Sequence, residues 1–218
     1  MALTFPLTRE AFFDLLGVQR ITFDCPEQVQ IARTGGGEVL AADLGPRLWS
    51  GEVALGRLSR AEAAPVLALL SVLRGAGASF LAYDVTRSTP LADPDGGLLG
   101  AATPAIYELL AGAREIKLAG LPEGYVISSG DYLGFAYGTG PVRQALHRVV
   151  TGGVADAGGI TGTIEVTPPL RPGASTGAAV DLIKPAIKAV LEPGSIDAGA
   201  VSRFLTEGIT FRFIQTLR

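Results

Sequence analysis

The chain has 218 residues, 48% hydrophobic and 18% charged, with a formal net charge of −3. That balance allows one large or two small domains with real cores and excludes a disordered tail. Its basic residues are scattered singly (Arg47, Arg57, Arg60, Arg74, Arg87), so the stripe expected of a specific nucleic-acid binder is missing from the pattern.

The 29 glycines and 14 prolines, about one residue in five, punctuate short Val/Ile/Thr/aromatic runs. This is the signature of many short strands joined by turns. Residues 8–16 are predicted as a short helix, with Thr8 as N-cap, Phe12, Phe13, Leu15 and Leu16 apolar and Gly17 as stop. Residues 18–25 alternate Ile21, Phe23 and Cys25 against Arg20, Thr22 and Asp24, a half-buried strand ended by Pro26. Residues 28–33 form a second strand with Val29 and Ile31 on one face, and 34–37 is a three-glycine turn suited to a hairpin. Residues 39–43 and 48–58 continue the sheet, with Trp49, Gly51, Val53 and Leu55 sharing a face.

The clearest local signal is a helix over 59–74. Ser59-Arg60-Ala61-Glu62 is a capping box, Val66, Leu69, Leu70 and Leu73 make one apolar stripe, and Gly75 is the expected left-handed stop. Pro65 is expected to bend it. A strand over 79–85 follows, then a long irregular connection, 86–104, of the length that usually marks a functional or mobile loop. Residues 105–111 read as helix or strand and 115–119 as a strand. Residues 125–127 and 132–137 flank a turn at 128–131. Short strands at 145–150, 162–167, 180–183 and 188–191 come next, and 209–217 closes the chain with Phe211 and Phe213 on one face and Arg212 and Ile214 on the other. The order predicts a mainly β protein with one principal helix. A β-barrel or sandwich domain over 1–113 and 173–218 carries helix 59–74, and a second small β domain, 114–172, is inserted into it.

Residue types that carry chemistry are sparse. His147 is the one histidine and falls in a strand-like run, where a surface or hydrogen-bonded role outweighs that of a base; no nucleophile elbow or second metal-binding histidine accompanies it. The single cysteine, Cys25, excludes an internal disulfide and a cysteine-built zinc cage. Asp93-Pro94-Asp95-Gly96-Gly97 has part of a calcium loop, but Asp-Pro and Asp-Gly are turn formers and the remaining ligands are missing. Tyr137-Gly138-Thr139-Gly140 begins like a phosphate loop and runs into Pro141, so a hairpin turn is the favoured reading. Trp49 and the five tyrosines could line a sugar-binding face or serve as core. No residue is therefore assigned a catalytic, cofactor-binding or metal-ligating role. The longest apolar-rich stretch, around 63–73, is interrupted by Pro65 and Ser71 and shorter than the ~20 residues that cross a bilayer, so membrane insertion is not expected. The opening residues lack a basic region and do not read as a signal peptide.

Three stretches, in order, resemble the distal tail and tail-tip (baseplate) proteins of siphophages and gene-transfer particles. The first is Leu48-Trp49-Ser50-Gly51-Glu52-Val53, followed by the capped helix and Ser79-Phe80-Leu81-Ala82-Tyr83-Asp84. The second is Ile127-Ser128-Ser129-Gly130-Asp131-Tyr132-Leu133, a Gly-Asp turn opening a small barrel. The third runs from Leu146-His147-Arg148-Val149 through Ala155-Asp156-Ala157-Gly158-Gly159 to Ile164-Glu165-Val166-Thr167-Pro168-Pro169-Leu170-Arg171. Residues 1–17 and 86–104 match no motif of that family.

The resemblance implies a virion structural protein rather than an enzyme, assembled in the host bacterial cytoplasm and needing no cofactor. Copies would form a homo-oligomeric ring, sixfold or alternatively threefold, between the tail tube protein and the baseplate hub protein. The sheet of 18–58, 79–85 and 188–217 would form the ring and 114–172 would be peripheral. Such a subunit needs unpaired strand edges and two different complementary surfaces, and the loop 86–104 could supply an arm that orders on docking. A carbohydrate- or receptor-binding β-module of a virion is the rival reading, and an enzyme using His147 a third.

Overall fold

The computed structural model describes residues 3–218, and the fold is mainly β with one principal helix. The first half of the chain supplies β1 (Val18–Asp24), β2 (Val29–Arg33), β3 (Val39–Asp43), β4 (Ser50–Leu55), β5 (Leu58–Ser59), α1 (Arg60–Leu73) and β6 (Phe80–Ala82). A middle group follows: β7 (Ala105–Leu109), β8 (Glu115–Ala119), β9 (Val126–Ile127), β10 (Tyr132–Tyr137), β11 (Arg143–Thr151), β12 (Gly153–Val154), β13 (Ile164–Thr167) and β14 (Val180–Asp181). The chain ends with β15 (Ile187–Leu191), β16 (Asp197–Val201) and β17 (Leu205–Gln215).

The first sheet runs β1-β4-β17-β15-β6, all antiparallel, and β17 is its spine. Along one edge β17 pairs with β4 (Ile214 opposite Ser50) and β5 (Leu205 opposite Ser59). Along the other it pairs with β15 (Leu191 opposite Phe213) and β16 (Val201 opposite Thr206). Ile209, Phe211 and Phe213 alternate onto the buried face, while Arg212 points to solvent. Gly51 lies opposite both Phe23 and Phe213, and a Cβ there would come within 2.6 Å of the Phe213 ring and of the Thr22 carbonyl.

Against this face packs α1, through Ala63, Val66, Leu70 and Leu73. Its capping box forms: the Ser59 hydroxyl accepts from the Glu62 amide, and the Glu62 carboxylate accepts from the Ser59 amide at 2.9 Å. The helix runs on through Pro65, whose missing N–H would have met a carbonyl only at the first turn. The expected left-handed stop at Gly75 is corrected: Arg74 caps in the right-handed region and the positive φ comes two residues later, at Gly77. The predicted helix over 8–16 shrinks to one 3-10 turn at Phe13–Leu15, because Phe12 and Phe13 are both drawn into an aromatic cluster with Phe80, Phe211 and Phe213. The predicted strand over 79–85 is shortened to β6, with Asp84 capping a 3-10 turn at Val85–Arg87.

Six strands of the middle group form the sheet β14-β10-β11-β13-β8-β7, and β9 pairs with β12 apart from it. A bridge between Ala105 and Ala179, flanked by Ile106 N–H to the Ala178 carbonyl and Val180 N–H to the Pro104 carbonyl, joins its two ends and closes a small barrel. The barrel encloses its own core of Ile116, Leu118, Leu133, Phe135, Val149 and Ile164 among others. Its strands begin at Ala105 and end at Asp181, outside the expected limits of 114–172 on both sides. The run 105–111, ambiguous from sequence, is strand β7.

The two β units share a polar-aromatic seam. Trp49 Nε1–H donates to the Leu146 carbonyl at 2.8 Å, Gln215 Nε2–H to the Gln144 carbonyl at 3.0 Å, and Arg171 Nη2–H to the Arg47 carbonyl at 2.6 Å. Arg148 lies over the rings of Trp49 and Tyr132 and donates to the Tyr132 hydroxyl.

Candidate functional site

The pair β2–β3 departs most from the sequence reading. It does not continue the first sheet: Val29 to Arg33 pair with Asp43 to Val39 and with no other strand. Every residue from Pro26 to Leu44 is exposed. The ribbon nevertheless carries large apolar side chains, with Ile31 63% and Leu40 52% exposed, on opposite faces, and Val39 and Leu44 beside them. A two-stranded hairpin without a covering layer is marginal on its own, and apolar side chains on both faces favour contact with another surface. At its base Arg47 donates to the Cys25 carbonyl and staples the two legs of the arm together.

A second exposed apolar tip closes the β16–β17 turn, where Val201 is 75% and Phe204 71% exposed and Leu205 is also exposed. Arg203 rests on the Phe204 ring, with Arg57 and Arg60 on the chain that flanks β5. Strand β16 was missed in the sequence. Gly199 lies in its middle, and a φ of +74° with the Glu207 carbonyl close by admits no side chain there. The two exposed features stand at opposite ends of the first sheet. The arm leaves from the end where Asp24, Ser50 and Ile214 meet, and the tip lies beside Ser59 and Thr206.

A cleft of about 630 Å³ lies between the arm base and the barrel, lined by Val29, Asp43, Arg47, Arg114, Glu165 and Arg171 among others. Its charges are mixed in sign and its wall is rich in proline.

His147 sits inside the barrel wall, 2% exposed and stacked on Phe135. Its Nδ1 lies 2.7 Å from the Pro168 carbonyl, a geometry that requires the proton on Nδ1. Burial pulls its pKa down to about 4, against a rise from the Pro168 carbonyl, so the ring is neutral near pH 7. Asp93 makes a turn: its carboxylate accepts from the Leu98 and Leu99 amides and from the Tyr125 hydroxyl. Burial raises its pKa, and these donors outweigh it, leaving the carboxyl below its ordinary value. The connection 86–104 is therefore fastened to the barrel. Tyr137-Gly138-Thr139-Gly140 is the hairpin turn joining β10 to β11. Trp49, Tyr83, Tyr125, Tyr132 and Tyr137 are all buried, which withdraws them from a sugar-stacking face and leaves Tyr107 exposed.

Among the described residues no group of three His, Cys, Asp or Glu side chains gathers as a metal cage, and no helix is long and apolar enough to cross a membrane. Outside the barrel Asp14, Tyr83 and Lys184 form one titratable cluster. Lys184 Nζ donates to the Asp14 carboxylate at 2.7 Å, and the Tyr83 hydroxyl donates to its other oxygen. Burial raises the Asp14 pKa, but the Lys184 and Tyr83 donors bring it below the usual value. This cluster fastens the segment before β1 to the turns after β6 and before β15. No protein-family model matches the chain, and no curated protein matches it with significance.

Proposed function

We propose that the chain is a structural subunit of a bacteriophage or prophage-like tail tip, forming a homo-oligomeric ring between the tail tube protein and the baseplate hub protein. The observation that carries this reading is the β2–β3 arm, apolar on both faces and left uncovered among the described residues. Its counterpart at the far end of the sheet gives the molecule two unlike sticky surfaces. Two unlike surfaces on one subunit produce head-to-tail contacts, which close into rings when the rotation allows.

The arrangement of the quoted motifs adds support. The 48–53 and 79–84 motifs lie in the first sheet with the helix between them, while 127–133 and 146–171 fall in the barrel. This is the division of labour that a distal tail protein resemblance implies, with terminal strands in a ring domain and a peripheral insertion. The modest net charge of −3 lets copies gather without strong self-repulsion. The function is one of shape and assembly at the virion tail tip, after synthesis in the host cytoplasm.

Negative-stain electron microscopy of the purified chain at increasing concentration tests the proposal. Closed rings of uniform diameter with sixfold or threefold averages are expected. Particles that stay single at every concentration would refute it.

A further inference from the structure

We infer that one water molecule is built into the seam between the two β units, held by His147 Nε2 on the barrel and by Arg171 Nη1 beside it. The site is independent of how the chain assembles.

Among the described residues three buried side-chain nitrogens have no hydrogen-bond partner: His147 Nε2, Arg148 Nε and Arg171 Nη1. His147 and Arg171 line one and the same cavity, together with Trp49, Leu146, Pro168 and Gln215. Its volume is about 10 Å³, which meets the lower limit of ~10–15 Å³ for a single water and leaves no room for an organic group. The two nitrogens have opposite needs. The Pro168 carbonyl takes the Nδ1 proton of His147, so Nε2 presents a lone pair and accepts. The Arg171 guanidinium is charged and only donates, and its Nη2 is already bonded to the Arg47 carbonyl at 2.6 Å. A cation that suits Nε2 would meet the Arg171 charge, and an anion that suits Arg171 would meet the Nε2 lone pair. A neutral molecule that both donates and accepts satisfies the pair, and at this size that molecule is water.

The neighbouring polar groups offer no substitute. The Trp49 indole N–H is bonded to the Leu146 carbonyl and the Gln215 amide N–H to the Gln144 carbonyl. His147 is 2% exposed, and a buried ring nitrogen left unbonded is costly, which favours retention of the water. The resulting chain of hydrogen bonds runs from the Pro168 carbonyl through the His147 ring, the water and Arg171 to the Arg47 carbonyl. Arg47 in turn holds the Cys25 carbonyl, so the water links the barrel wall to the base of the β2–β3 arm.

A crystal structure of the unmodified chain near atomic resolution tests the site. One ordered water is expected at about 2.7–3.2 Å from both nitrogens. An empty cavity, a water within reach of only one nitrogen, or Arg171 Nη1 bonded directly to His147 Nε2 overturns the inference. In solution, magnetic relaxation dispersion of the water signal reports long-lived buried waters. His147→Phe removes the acceptor and Arg171→Met the donor, and each is expected to lose one such water relative to wild type, with circular dichroism confirming the fold. An unchanged dispersion in either folded variant overturns the inference as well. Should both variants fail to fold, the electron density of the unmodified chain decides by the same criteria.

Discussion

The indole N–H of Trp49 donates to the backbone carbonyl of Leu146 at 2.8 Å, joining the strand entry of the first sheet to the middle of a barrel strand. Both residues are buried, and the Trp49 ring is boxed by Phe23, Tyr132 and the Arg148 guanidinium. Trp49→Phe keeps most of the apolar volume and leaves the Leu146 carbonyl without its donor. A loss of about 1–3 kcal/mol is expected in urea denaturation. A midpoint equal to wild type would mean that this bond does not hold the two units together.

Gly51 is flanked across the sheet by Phe23 and Phe213, and only a hydrogen fits beneath the Phe213 ring. Gly51→Ala forces the ring or the strand to move and is expected to cost about 1–3 kcal/mol. The same measurement on Gly35→Ala, where the added methyl meets nothing within 4 Å, serves as the reference and is expected to be near neutral.

His147 makes stability depend on pH with a definite sign. In the folded chain burial holds its pKa at about 4, below the 6.5 of an exposed imidazole. The unfolded chain therefore takes up a proton first as pH falls. The stabilisation from the buried neutral ring is complete above pH 6.5 and declines between 6.5 and 4 at about 1.4 kcal/mol per unit. From pH 6.5 to 5 the decline is roughly 2 kcal/mol. His147→Phe, which cannot titrate, is expected to flatten this segment of the profile, read from denaturation midpoints across that range.

Leu70, 1% exposed, anchors α1 to the sheet. Leu70→Ala is expected to cost about 2–5 kcal/mol, and Ser59→Ala, which opens the capping box, about 0.5–2 kcal/mol. Equal effects of the two in thermal or chemical melts would contradict the packing of the helix.

Asp93 is the clasp of the 86–104 connection. Asp93→Ala strands two amides and the Tyr125 hydroxyl, and limited proteolysis is expected to cut within 86–104 in the variant before wild type. Identical cleavage patterns would show that the loop is held by other contacts.

Elements whose signal is local were legible in the sequence. The α1 cap is written in Ser59 and Glu62, and the alternation of Ile209, Phe211 and Phe213 marks the inner face of β17. The strand pattern of Val29, Ile31, Val39 and Ala41 was also legible, but its partner was not. A period-two pattern says that a face is to be covered and is silent on whether the cover comes from the same chain. That is why the arm was read as part of the sheet. The 8–16 helix failed for the complementary reason: Phe12 and Phe13 are each worth more in the aromatic cluster than one helical face allows. Asp197-Ala-Gly-Ala-Val201 has neither alternation nor bulk, so β16 is made by pairing to β17 and left no trace for pattern reading. The candidate surfaces were therefore hidden in plain strands, since exposure is a property of the assembled sheet and not of the segment.

Sedimentation velocity of the unmodified chain over a hundredfold concentration range addresses the self-assembly claim most directly. The account predicts one discrete heavy species of fixed stoichiometry in equilibrium with the 22.5 kDa protomer, with no open-ended growth. A single boundary at the protomer mass throughout would contradict it.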